Sequence, residues 1–145
     1  MKHLRFALLT AAMLAPLAHA EPKSMRSAAE IVGDWRGRYI CNQGVTALHL
    51  RVAQNASGKI TASFNFGPAP ENPTVPKGAY AMKGIYDPKS RKVHFAADTW
   101  INHPGGYEMV DLDGRVTVDG SRMTGKVPFT GCTIFDLQRA APLVG

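Results

Sequence analysis

Histidine side chains are the first place to look for chemistry, because imidazole serves acid–base catalysis and metal binding near neutral pH. His49 and His94 lie on the predicted outward faces of two strands, and neither has a partner at the spacing of a zinc site. His103 lies instead in a loop between Trp100 and Tyr107. The sequence therefore predicts no metal site and no cofactor, and His103 is the histidine best placed for binding.

Nucleophiles and carboxylates form no pattern typical of an enzyme. The chain holds no Gly-x-Ser-x-Gly nucleophile elbow and no glycine-rich phosphate loop. Asp113 and Asp119 each begin an Asp-Gly pair, which is typical of a turn. Asp111 is predicted to point outward, whereas a glycosidase needs two inward carboxylates roughly 5 to 10 Å apart. We therefore predict that the protein is not an enzyme.

The segment from Trp100 to Tyr107, Trp-Ile-Asn-His-Pro-Gly-Gly-Tyr, is the best candidate for a binding surface. Loops at a barrel mouth carry binding, and aromatic side chains there stack on ligands or anchor partners. The alternative is structural, with Trp100 and Tyr107 folded over the barrel end as a plug. We expect Trp100 to be a buried plug, and Asn102 and His103 to form an exposed tip.

Alternating apolar side chains predict the strands that position this loop. The clearest alternation runs from Lys59 to Phe66, with Ile60, Ala62 and Phe64 facing the core. The predicted strands are 33–41, 45–54, 59–66, 80–86, 92–97, 107–112, 115–118, 122–127 and 132–139. Two long loops are predicted between them, a proline-rich one at 67–78 and a second at 98–106.

Around nine short strands with tight turns, and no convincing long helix, predict an all-β fold. We expect a single antiparallel up-and-down β-barrel of eight or nine short strands, or a closely related sandwich. This domain is predicted to span residues 33–140, with a C-terminal tail at 141–145. Residues 21–32 are either a loose tail or a short helix, since Ser27 and Glu30 have the spacing of a capping box.

Residues 1–20 are predicted to be a signal peptide. Lys2 and Arg5 precede an apolar run, and Ala18-His-Ala20 fits a cleavage site. Removal of Lys2 and Arg5 lowers the formal net charge from +6 to +4. We therefore expect a periplasmic or secreted protein with no stable membrane insertion after cleavage. The modest charge and the lack of a basic stripe predict no nucleic-acid partner.

The two cysteines, Cys41 and Cys132, are expected to form a disulfide in an oxidising compartment. This bond would join the first and last strands, which pair in an up-and-down barrel. If Cys41 and Cys132 lay directly opposite each other, Asp136 would point inward, although Phe135 and Leu137 are the apolar side chains of this strand. A β-bulge near Gly131 or Cys132 removes this conflict. The bulge would place three side chains on the inward face with Trp35: Phe135, Leu137 and Arg139.

Gly33-Asp-Trp35 at the start of the first strand and Arg139 near the end of the last resemble the Gly-x-Trp start and closing arginine of lipocalin-like barrels. The resemblance implies that Arg139 packs across Trp35 and closes one barrel end, as a cation over an indole face. The alternation over residues 33–66 also resembles the avidin type of short barrel. Avidin-like biotin sites use several tryptophans, whereas this chain has two, so no biotin-binding residue is assigned.

The stretch Trp-x-Gly-x-Tyr-x-Cys-x-Gln-Gly, from Trp35 to Gly44, is also similar to an uncharacterised class of exported bacterial β modules. This resemblance implies no activity. The function expected from the sequence is an exported, non-catalytic binding module that uses its barrel-mouth loops. Its partner is a protein, a glycan or a small apolar ligand. The alternative is an inhibitor or immunity protein directed against a cell-wall hydrolase or a toxin.

Overall fold

The structure is a computed structural model that describes residues 28–141, and it is a closed barrel of eight antiparallel strands. Each strand pairs with the next along the chain, and β1 pairs with β8. The strands are β1 (Gly33–Cys41), β2 (Gly44–Gln54), β3 (Ile60–Gly67), β4 (Gly78–Asp87), β5 (Lys92–Asn102), β6 (Leu112–Val116), β7 (Arg122–Lys126) and β8 (Ile134–Arg139). The predicted all-β, up-and-down barrel is thereby confirmed, in preference to the sandwich.

The described chain begins in a helical turn, in which Ile31 N donates a hydrogen bond to Ala28 O at 3.1 Å. The predicted signal peptide, most of the predicted N-terminal segment and nearly all of the C-terminal tail lie outside the described residues. From residue 28 to residue 141, no helix is long and apolar enough to cross a membrane.

Side chains fill the barrel interior. An eight-stranded barrel is just wide enough for its inward side chains to meet at the axis. The inward residues are correspondingly large and have almost no exposed surface. The largest of the fully buried ones are Trp35, Tyr80, Phe64, Phe95 and Phe135. The barrel is therefore a packed core, and a ligand has to bind at its surface or its ends.

Closure of the barrel follows the predicted register. Trp35 lies opposite Arg139, and Tyr39 lies opposite Phe135. In that register Cys41 would lie opposite residue 133, so its disulfide partner Cys132 is offset by one residue. A one-residue offset before β8 was predicted so that Phe135 rather than Asp136 faces inward, and Phe135 is indeed buried with Trp35.

Strand β5 is longer than predicted, and Trp100 lies within it rather than in a loop. The pairing of β4 with β5 changes register twice, which leaves Asp98 and Ile101 as extra residues on β5. Each β-bulge reverses the inward and outward alternation. Strict alternation from Ala97, which faces inward, would place Trp100 on the outer face. Because of the bulge at Asp98, Trp100 instead lies opposite the buried Tyr80.

The predicted turn at Asp113-Gly114 is wrong, because both residues lie inside β6. The preceding residues, 107–111, form no strand. Gly114 is required by packing, since a Cβ atom there would lie 2.5 Å from Phe135 Cζ and 2.5 Å from Thr124 O. The predicted turn at Asp119-Gly120 is present, with Gly120 at a φ of 72°.

Candidate functional site at the barrel mouth

The two ends of the barrel are built differently. We call one the closed end; it carries the helical turn, the start of β1 and the turns at 55–59, 88–91 and 117–121. We call the other the mouth. It carries the turn at 42–43 and three longer connections, at 68–77, 103–111 and 127–133.

Arg139 and Trp35 seal the closed end. The guanidinium carbon of Arg139 lies 4.2 Å from the Trp35 ring centroid, and Trp35 is fully buried. The same guanidinium donates to three backbone carbonyl groups, those of Glu30, Val32 and Gly120. Burial lowers the pKa of Arg139, yet the side chain remains a cation. The predicted packing of Arg139 on Trp35 is confirmed, and it closes the barrel interior at this end. Outside it lies a cleft of about 320 Å³, which Arg139 lines together with Glu30 and Arg91.

Six aromatic side chains meet below the mouth, and we call them the aromatic cluster: Tyr39, Phe64, Phe66, Tyr80, Trp100 and Tyr107. Phe64 and Tyr80 stack at a centroid distance of 4.6 Å, and Phe66 and Tyr107 stack at 5.4 Å. The cluster joins the barrel core to the connection at 103–111. It gives the mouth a rigid aromatic floor.

Trp100 is half-buried, so the prediction of a buried plug is only partly right. Its ring packs edge-on against Tyr80, with the centroids 5.2 Å apart. The His103 ring covers the indole, with the centroids 4.0 Å apart and the planes within 10° of parallel. Trp100 therefore belongs to the floor of the mouth but retains some contact with water.

Asn102 and His103 are exposed, as predicted for the tip of this segment. Each nevertheless holds a neighbouring connection in place. Asn102 Nδ2 donates to Lys77 O at 3.1 Å, and His103 Nε2 lies 2.9 Å from Tyr107 O. Their binding role remains a prediction, and in the structure they support the loops around the mouth.

Tyr80 anchors the connection at 103–111 from within the barrel. Its hydroxyl donates to Val110 O at 2.9 Å and accepts from Val110 N at 3.1 Å. Burial raises the pKa of the phenol well above its ordinary value. Asp111 is also used structurally, since its carboxylate accepts from Ala97 N at 2.8 Å. The loop is thus fixed to β4 and β5, although it contains no strand.

A cleft of about 330 Å³ opens at the mouth. It lies between the turn at 42–43, the connection at 103–111 and the connection at 127–133. The disulfide between Cys41 and Cys132 forms part of its wall and joins two of these three segments. Side chains that carry aromatic or polar groups complete it, namely Asn42, Gln43, Tyr107, Glu108, Phe129 and Thr130.

Some polar groups of the cleft are held by hydrogen bonds within the protein, whereas others are exposed to solvent. Gln43 Nε2 donates to Tyr39 Oη at 3.2 Å and to Thr46 Oγ1 at 3.1 Å, which fixes this amide beneath the turn. Burial raises the pKa of Tyr39 far above neutrality, so its phenol stays protonated. Glu108 is exposed and is the one charged side chain in the lining.

Of the predicted binding residues, only Tyr107 lines this cleft, while Trp100 and His103 lie beside it in contact with the aromatic cluster. The sequence analysis missed Asn42, Gln43, Glu108, Phe129 and Thr130. A signal was available for Phe129, because a large aromatic residue in a Pro-Phe-Thr-Gly turn has no inward face to occupy.

His49 and His94, the other two histidines within residues 28–141, are paired with carboxylates on the outer wall of the barrel. His49 Nε2 lies 2.5 Å from Asp34 Oδ1, and His94 Nδ1 lies 2.5 Å from Asp113 Oδ1. Each pair has one histidine and one carboxylate. Within the part of the chain that the structure covers, no three His, Cys, Asp or Glu side chains come together to hold a metal ion.

Compared with known proteins, the chain matches no family model, no curated protein and no solved structure. The site therefore has to be interpreted from its own geometry.

Proposed function

We propose that the protein is an exported, non-catalytic binding module that holds its ligand in the cleft at the barrel mouth. The observation that carries this proposal is the mouth cleft, in which aromatic side chains, among them Tyr107 and Phe129, and several polar side chains surround one space. Ligand sites are typically concave and largely preformed, with aromatic walls and a few placed polar groups.

The filled interior favours a ligand on the mouth over a small apolar ligand inside the barrel. Phe64, Phe95 and Phe135 occupy the space that a lipocalin-like barrel would use for such a ligand. We therefore propose that the likeness to lipocalin and avidin barrels concerns the barrel architecture and does not extend to a ligand inside the barrel.

Export is the second part of the proposal. The disulfide between Cys41 and Cys132 supports a periplasmic or secreted location, because such bonds persist in oxidising compartments. It also closes the mouth on one side, so the proposed site depends on the compartment in which the bond forms.

An inhibitor or immunity protein against a cell-wall hydrolase or toxin is the second candidate. The observation that favours it is the segment from Asn102 to Gly106, exposed except for the half-buried Pro104, which carries His103 at the rim of the mouth. A protein partner would contact this rim, whereas a small ligand would contact the cleft beneath it.

Backbone amide shifts in NMR spectra would test the proposal. We would titrate isotope-labelled protein, residues 21–145, with protein and saccharide fractions of a bacterial envelope. We expect the perturbed amides to lie at the mouth, around Gln43, Gly106 and Thr130. Perturbation confined to the closed end or to the outer wall would contradict the proposal.

A matched pair of variants separates contact from folding. Phe129→Ala removes an exposed aromatic side chain from the cleft, and Val118→Ala removes an exposed apolar side chain at the closed end. Both should fold, since surface substitutions usually change stability by less than about 0.5 kcal/mol. Only Phe129→Ala should weaken the response. Shifts at the rim residues 102–106 without shifts in the cleft would favour the inhibitor.

A further inference from the structure

We infer that the ligand of the mouth cleft is a neutral saccharide. This inference rests on the proposed function, and it follows from three properties of the cleft: its aromatic surfaces, its uncharged hydrogen-bonding groups and its sparse charge.

Tyr107 and Phe129 supply the aromatic surfaces from two different connections. One face of the Tyr107 ring stacks on Phe66, at a centroid distance of 5.4 Å and within 23° of parallel, and the residue also lines the cleft. Phe129 lies in the opposite connection and is 45% exposed. A sugar ring presents a face of C–H groups that packs on such rings, while its hydroxyl groups point outward at the edge.

Asn42, Glu108 and Thr130 supply hydrogen-bonding groups around these rings. All three side chains are exposed and line the cleft. An amide both donates and accepts, a carboxylate accepts, and a threonine hydroxyl does both. This mixture suits sugar hydroxyl groups, each of which is also a donor and an acceptor.

The charges of the cleft and of the whole protein favour a neutral ligand. Among residues 28–141, no lysine, arginine or histidine lines the cleft, and Glu108 is the one charged group in its lining. An anionic sugar would meet this carboxylate without a cation to pair with it. A polycationic peptide would approach a protein whose net charge is itself positive, +4 once Lys2 and Arg5 are removed from the +6 of the full sequence. A neutral saccharide meets neither obstacle.

Size limits the ligand to a short saccharide. The cleft of about 330 Å³ is at the lower end of the range for small-molecule sites. We therefore expect roughly one or two sugar rings to be held, with longer chains extending across the rim.

The test uses NMR titration with defined probes. The neutral probes are trisaccharides built from glucose, galactose, mannose and N-acetylglucosamine. The charged probes are trigalacturonate and trilysine. We expect at least one neutral trisaccharide to shift the amides of Gln43, Gly106 and Thr130, and to do so at lower concentrations than either charged probe.

Variants then assign the contact to the cleft. We expect Phe129→Ala to weaken binding of the neutral trisaccharide about tenfold or more, as for an exposed aromatic anchor. Glu108→Gln removes the negative charge of the cleft, so it should improve binding of trigalacturonate relative to wild type. Ile85→Ala, on the outer wall, is the control and should change neither.

The outcomes distinguish this inference from the proposal beneath it. If none of the neutral trisaccharides shifts the mouth amides, or if either charged probe shifts them at lower concentration, the inference of a neutral saccharide is overturned. If an envelope protein fraction still shifts the same amides, the binding module stands with a different ligand. If nothing shifts them, both fail.

Discussion

The two tryptophans of this chain lie at opposite ends of one barrel and have opposite surroundings. Trp35 is fully buried beneath Arg139, whose guanidinium is held by backbone carbonyl groups. Trp100 is half-buried beneath His103, which belongs to an exposed loop. In each case a nitrogen-rich side chain covers an indole ring. The difference is that the first cover is anchored to the barrel frame and the second is part of a loop.

The type of bond that joins the first and last parts of the chain also differs between the ends. At the closed end, cation–π contact and hydrogen bonds join β8 to the start of β1. At the mouth, a disulfide joins the end of β1 to the segment before β8. A wall that borders a cleft cannot be packed on both sides. A covalent bond there fixes the wall without filling the space beside it.

Removing the disulfide should have the largest effect on stability. The bond closes a separation of 91 residues, which corresponds to about 4 to 5 kcal/mol in the chain-entropy model. We expect the double variant Cys41→Ser/Cys132→Ser to lose stability of this order in urea denaturation. Reduced wild type is the control and should match it. If two free thiols are titrated in unfolded, unreduced protein, no disulfide joins Cys41 to Cys132 at the mouth.

Truncating the two tryptophans tests the contrast directly. Trp35→Ala should cost about 3 to 5 kcal/mol, because it empties a fully buried site. Trp100→Ala should cost less, about 1 to 2 kcal/mol, since part of its surface already contacts water. Urea denaturation of both variants beside wild type gives the difference. Equal losses would show that the mouth is packed like the closed end.

Alkaline pH should affect the mouth through Tyr80. Burial raises the pKa of this phenol in the folded state above its ordinary value of 10.0. The stability that depends on the neutral phenol is complete below about pH 10, and it is lost as the pH rises towards the folded-state pKa. We expect the free energy of unfolding to fall above pH 10, as measured by urea denaturation at several pH values.

Tyr80→Phe provides the control for this pH dependence. The variant lacks both hydrogen bonds to Val110, so it should be less stable at neutral pH by about 1 to 2 kcal/mol. Its stability should fall less steeply at alkaline pH, because one buried phenol is absent. An unchanged slope would assign the pH dependence to other groups.

Sequence periodicity was sufficient for most of the barrel. Strict alternation from Lys59 to Phe66 predicted β3. The need for Phe135, and not its neighbour Asp136, to face inward was enough to predict the offset before β8. It failed at β5, because each bulge inserts a residue that reverses the alternation. Trp100 therefore seemed to follow the end of a strand that in fact continues to Asn102.

The cleft was harder to predict than the barrel. Its walls come from three connections that are far apart in sequence, at 42–43, 103–111 and 127–133. Only the barrel register brings them together, and alternation says nothing about turns. Trp100, Asn102, His103 and Tyr107 were selected by residue type. They lie at the same end of the barrel as the cleft, but only Tyr107 lines it.

Closure of the barrel by β1 and β8 also dictates when folding can finish. Their paired residues are separated by about a hundred positions, as for Trp35 and Arg139. Contacts between such distant residues slow folding, because a long loop must close before they form. Until β8 is present, β1 and β7 each have an unpaired edge that can add a strand from another chain. Synthesis must therefore pass Arg139, the last residue of β8, before the nascent barrel ceases to be a template for aggregation.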